Sequence, residues 1–187
     1  MAIVPAKDTA ALLYKHIVKA APYGPYGVKA QYRLGEANLA LGELEEAERA
    51  FQAVVDEYPT SEYAVKARYE LARTSLRESR EREYHMPSTD EAIKKFEGFK
   101  EANPPPDLEQ EANVAISQLR QKKAASLYET ALFYQKGGKF ASARLYYNDI
   151  LNQFPDTPTA GKAKERLTEI EKSEKGEMPK KPWWRIL

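Results

Sequence analysis

Lys29, Tyr32 and Glu36 recur thirty-seven residues later as Lys66, Tyr69 and Arg73, one spacing of cation, phenol and charged tip used twice. Side chains three and four apart share a face of a helix, so each trio would set a phenol ring between charges, with Leu39 and Leu76 following one turn on. A third series, Ala125, Tyr128, Leu132 and Gln135, keeps tyrosine in the same place. Such a row suits recognition of an extended peptide, because phenol rings supply apolar area, a hydrogen-bonding tip and few rotors to freeze. The competing reading is that the three tyrosines only pack between neighbouring helices.

Bond-making chemistry finds little to work with. The only histidines, His16 and His85, lie on different segments, without a carboxylate or second imidazole at metal-ligand spacing. No glycine-rich phosphate loop follows a strand pattern, and no serine sits in a nucleophile elbow. There is no cysteine for a disulfide or thiolate site. The sequence therefore predicts no catalytic residue, no metal and no cofactor. A net charge of +1 without a basic stripe argues against nucleic acid as a partner. No run of ~18 apolar residues could span a membrane, and Met1-Ala2-Ile3-Val4-Pro5 lacks the regions of a signal peptide. The chain reads as a mature or trimmed form.

Repetition supplies the elements that must position the candidate residues. Ala47, Phe51, Val54 and Pro59 return as Ala92, Phe96, Phe99 and Pro104, and again as Ala143, Tyr147, Ile150 and Pro155, with an opening echo in Ala10, Tyr14, Ile17 and Pro22. Counted from Val28, Leu34 and Gly35 fall at positions seven and eight, Gly42 at fifteen, Ala47 at twenty, Phe51 at twenty-four and Pro59 at thirty-two. That is the tetratricopeptide pattern of two antiparallel helices. Small residues at the crossing let the backbones approach, Gly42 turns the chain and Pro59 stops the second helix.

The expected fold is therefore all-α, a tetratricopeptide-repeat solenoid of helix hairpins over residues 1–174. It comprises a half repeat at 8–22, repeats at about 28–59, 62–104 and 107–155, a capping helix at 158–173, and a flexible basic aromatic tail at 175–187. Asp8 is the expected cap of the first helix. Positions two, five, nine and twelve of each first helix are expected to line a concave groove, which nominates Lys29, Tyr32, Glu36, Lys66, Tyr69, Arg73, Tyr128 and Gln135.

Within this scheme, Val65 to Ala72 mirrors Val28 to Gly35, and the helix from Tyr63 to about Leu76 opens the second full repeat. From Ala72 to Ala92 is eight residues longer than from Gly35 to Ala47, an insertion placed in the charged stretch 77–86. It reads as an extended helical end, either passive or a partner-contacting arm, with Ser88 and Glu91 as the capping box that restarts the chain. The sequence Asn103-Pro104-Pro105-Pro106 is a break, after which residues 107–136 contain neither Gly nor Pro and predict one long helix. Thr157 and Pro158 predict a cap and first position for the last helix. At the end of the tail, Trp183, Trp184 and Arg185 would touch a membrane interface or partner, or pack back onto the chain.

The segments Tyr58-Pro59-Thr60-Ser61-Glu62-Tyr63-Ala64, Leu127 to Phe140 with its Gly137-Gly138 turn, and Phe154-Pro155-Asp156-Thr157-Pro158 carry a resemblance. Over roughly residues 8–172 the chain resembles the BamD family, the tetratricopeptide lipoproteins of the bacterial outer-membrane β-barrel assembly machinery. The resemblance implies a non-catalytic scaffold at the periplasmic face of the outer membrane that binds barrel-assembly subunits and unfolded outer-membrane proteins, anchored through a lipid-modified cysteine absent from this sequence. The Pro-Thr-Ser and Pro-Asp-Thr-Pro junctions are shared with the periplasmic adaptor of the Tol-Pal system, which stands as the alternative beside a cytosolic tetratricopeptide regulatory module. Chaperone-tail recognition by a carboxylate clamp would need Lys and Asn where Tyr32 and Glu36 stand.

Overall fold

Helix is the outcome wherever the apolar positions recur every three or four residues. The computed structural model describes residues 6–81 and 86–174, and among these it has eight helices and no strand. They are α1 (Ala6–Ala20), α2 (Gly27–Leu41), α3 (Leu44–Glu57), α4 (Glu62–Glu81), α5 (Met86–Glu101), α6 (Pro106–Lys136), α7 (Phe140–Gln153) and α8 (Pro158–Glu174). The chain divides into two compact units, residues 1–116 and 117–187.

In the first unit each helix from α1 to α5 packs on the next, and α2 also touches α4, so the first helices of successive hairpins lie side by side. The α2–α3 hairpin closes on the residues that the repeat nominated. Ala47, Phe51 and Val54 are fully buried and join Tyr32, Ala67 and Leu71 in one cluster. Gly35 is a necessity of close approach: a Cβ there would lie 2.5 Å from the Phe51 ring. The turn after α2 places Gly42 at φ 84°, with Glu43 N–H bonded to the Asn38 carbonyl at 3.0 Å. This is the left-handed stop that glycine permits.

The second unit repeats the logic. Ala131, Ala143, Tyr147 and Ile150 are buried together with Ala163 and Ile170 of α8, and Leu167 packs against them. The same left-handed turn recurs at Gly138, where Lys139 N–H reaches the Tyr134 carbonyl at 2.9 Å.

Several boundaries depart from the sequence expectation. α1 starts at Ala6, so Asp8 lies inside it and does not cap it. α5 starts at Met86, which puts Ser88 inside its first turns. There Ser88 and Thr89 are buried, and Thr89 Oγ1 meets Ser79 Oγ of α4 at 2.8 Å. Ser88 does not open the helix as a capping box requires, because Pro87 can occupy a first turn whose N–H has no intrahelical acceptor. The insertion lengthens α4 to 20 residues, against 15 in α2. At the other end of α5, Asn103 takes φ 50° and Pro106 already belongs to α6, so the break is 102–105. α6 is the single long helix expected, 31 residues and about 46 Å at 1.5 Å per residue. Before α8, the Thr157 hydroxyl donates to the Phe154 carbonyl at 2.8 Å rather than accepting an N–H of the new helix.

A candidate peptide-binding cleft

The side-by-side placement of α2 and α4 decides which of the nominated residues meet. Tyr32 and Tyr69, each 8% exposed, turn their rings into the packing. The Tyr32 ring lies 5.5 Å from Phe51 and 5.3 Å from Tyr63. Tyr69 lies 5.3 Å from Phe99 and 6.4 Å from Phe96, and its hydroxyl donates to the Glu111 carboxylate. In the second unit the Tyr128 ring is 5.6 Å from Tyr147, and its hydroxyl accepts from Arg166 Nε at 3.3 Å. Gln135 is engaged there as well, its Oε1 accepting from the Tyr147 hydroxyl at 2.6 Å. The row of exposed phenols expected from the sequence is corrected on this point. An aromatic ring flanked by small residues gains more from a close helix crossing than from water.

What α2 and α4 do present is an open cleft of about 490 Å³, lined by Glu36, Leu39, Ala40, Glu70, Arg73, Leu76 and Arg77. Positions nine and twelve of both helices therefore come together, as Glu36 with Leu39 and Arg73 with Leu76. Lys29 and Lys66 are exposed but do not line it, and Lys66 Nζ sits 5.3 Å from the Tyr63 ring centroid. Ala40, Glu70 and Arg77 escaped the positional rule. Ala40 and Arg77 stand four residues after Glu36 and Arg73, one turn along the same face, so the i, i+4 relation was the available signal.

The charges in the cleft are ordered. Arg73 pairs with Glu70 at 2.9 Å and lies 5.7 Å from the Tyr69 ring centroid. Arg77 Nη1 donates to the Leu39 carbonyl at 3.0 Å, tying α4 to the end of α2, and Arg33 holds Glu36 at 2.5 Å. Burial raises the Glu70 carboxyl above its usual range in spite of Arg73. The result is two leucines between paired carboxylates and guanidinium groups, a surface able to take apolar side chains and to answer backbone polar groups of either sign.

Burial also moves the phenols. Desolvation, reinforced for Tyr32 by Glu70 and Glu36, raises both Tyr32 and Tyr69 to about 12, and for Tyr69 the hydrogen bond to Glu111 adds to it. The folded state thus holds these protons more tightly than the unfolded chain. The associated stability is fully present below pH ~10 and is lost as pH rises through about 12. Alkaline titration followed by circular dichroism and tyrosinate absorbance should show unfolding coupled to ionisation, and Tyr32→Phe should flatten the pH dependence. Ordinary phenol titration in a chain that stays folded would contradict the burial.

Among the described residues no helix is long and apolar enough to cross a membrane, and no group of three His, Cys, Asp or Glu side chains is placed to hold a metal ion. A search among curated proteins found no match to the chain. A protein-family comparison matches residues 9–181 to YfiO, described as outer membrane lipoprotein. With eight helices among the described residues and a match over nearly its whole length, the chain belongs to the YfiO family, the BamD-like outer membrane lipoproteins.

Proposed function

We propose that this protein is a non-catalytic scaffold of the machinery that assembles β-barrels in the outer membrane, working from the periplasmic face, where it joins partner subunits and receives unfolded barrel precursors. The observation that carries the reading is the α2–α4 cleft, with Leu39 and Leu76 set between Glu36, Glu70, Arg73 and Arg77. A barrel strand alternates apolar and polar side chains with period two, so an extended precursor segment would seat its apolar set on the leucines while its polar edge meets the charges. Family membership supports the setting, since these are outer membrane lipoproteins. Lys29 and Lys66 are proposed as flanking contacts of the cleft, and Tyr128 and Gln135 as contacts on the second unit's own surface. Trp183, Trp184 and Arg185, the nominated partner or membrane contact, lie outside the described residues.

Because Tyr32 and Tyr69 serve the core, substituting them would confound binding with folding. The decisive variant is Ala40→Lys with Arg73→Gln, both exposed on the cleft surface. Its affinity for a labelled peptide copying the last strand of a barrel, read by fluorescence anisotropy, is expected to fall about ten-fold or more with helicity unchanged. Unaltered affinity would reject the cleft as the precursor site.

A further inference from the structure

Away from the cleft, α1 and the turn that follows it expose apolar groups for which the reading above has no use. Leu12 is 65% exposed and Leu13 57%, and on the same solvent face of α1 stand Lys15, His16 and Lys19. In the turn, Tyr23 is 80% exposed and Tyr26 71%.

These tyrosines are held out by a turn of defined shape. Gly24 N–H bonds to the Ala21 carbonyl at 3.1 Å and Gly27 N–H to the Gly24 carbonyl at 2.9 Å. The Tyr58 hydroxyl donates to the Pro22 carbonyl at 2.7 Å, and a Cβ at Gly27 would meet that same oxygen at 1.6 Å. Rings presented from an ordered turn lose little entropy when they are buried against something else.

Charge indicates what that something is. Apart from Asp8 in the first turn of α1, residues 6–35 contain none of the chain's 28 acidic side chains and five of its 29 cationic ones, Lys7, Lys15, Lys19, Lys29 and Arg33. Arg33 is engaged by Glu36, and the carboxylate lining the cleft beside Leu12 and Lys15 is that of Glu46, bonded to Arg49 at 3.2 Å. Lys15 and Lys19 therefore act beside the exposed leucines. Protein interfaces are depleted in lysine, whereas leucine with lysine on one helix face and tyrosine at its end is the composition of a surface-lying membrane element.

We propose that α1 and the α1–α2 turn form a peripheral membrane face that rests on an anionic phospholipid surface, with Lys15 and Lys19 against headgroup phosphates and Tyr23 and Tyr26 at headgroup level. The proposal uses the outer-membrane association of the family and is independent of the peptide cleft.

The test is flotation of the whole chain with phosphatidylcholine vesicles containing or lacking phosphatidylglycerol. Binding is expected only with the anionic lipid and should weaken as salt rises. Lys15→Gln with Lys19→Gln should reduce it about ten-fold or more, since each lysine near such a surface contributes roughly five-fold. Tyr23→Ser with Tyr26→Ser should also reduce it, and all four positions are exposed enough to leave the circular dichroism spectrum unchanged. Equal binding to uncharged vesicles, or full binding by either double variant, would overturn the proposal. So would loss of binding only on removal of residues 175–187, which would place the contact in the tail. Self-association abolished by Leu12→Ser with Leu13→Ser would overturn it in favour of a second copy of the chain.

Discussion

Phe51→Ala is expected to destabilise the first unit by about 3–5 kcal/mol, and in that background Gly35→Ala is expected to change sign. Phe51 is fully buried between α2, α3 and α4, in contact with the Tyr32 ring. Removing it leaves a cavity beside residues fixed by their own hairpins, which can collapse only partly. Gly35 reports the same space from the opposite side. Alanine in a helix interior is ordinarily better than glycine by about 1 kcal/mol, yet the new Cβ would fall 2.5–2.7 Å from three atoms of the Phe51 ring. Overpacking of this kind costs about 1–3 kcal/mol, so Gly35→Ala alone should lower stability. Once the ring is gone, its helix preference should emerge as a gain. Urea unfolding of the four members of the cycle measures the coupling. A neutral or stabilising Gly35→Ala in the intact chain would show that the ring swings aside and that the close helix crossing does not depend on glycine.

In the second unit the corresponding large loss is expected at Tyr147. It is fully buried, packs on Tyr128 and bonds through its hydroxyl to Gln135. Burial raises its phenol well above the ordinary tyrosine range. Tyr147→Ala should cost about 3–5 kcal/mol, in line with other large aromatic deletions, while Tyr147→Phe keeps the ring and should cost about 0.5–1.5 kcal/mol for the lost hydrogen bond. The ratio of the two separates packing from hydrogen bonding at the third occurrence of the repeat's aromatic. Equal losses for Phe and Ala would mean that the hydroxyl, not the ring, organises this core. Both variants are read from chemical unfolding followed by circular dichroism.

The boundary corrections share one cause. Asp8 and Ser88 qualify as caps by local chemistry, which is worth about 0.5–2 kcal/mol, yet at both places the helix begins two residues earlier. Next to Ser88, the buried contact of Thr89 with Ser79 shows tertiary packing holding those first turns.

From the amino-acid order alone came the helical hairpins, the glycine turns, the close crossing at Gly35 and Ala47, the unbroken α6 and the family. These follow from short-range sterics repeated at a constant period, so the information sits within some thirty residues each time. Which face of α2 and α4 meets solvent was settled only in three dimensions. The same tyrosine at position five suits a groove or a core, and the choice rests on Phe51, Tyr63, Phe96 and Phe99, which other helices bring to within aromatic contact of the two rings. Burial energy depends on neighbours distant along the chain, and spacing along a single helix does not contain them.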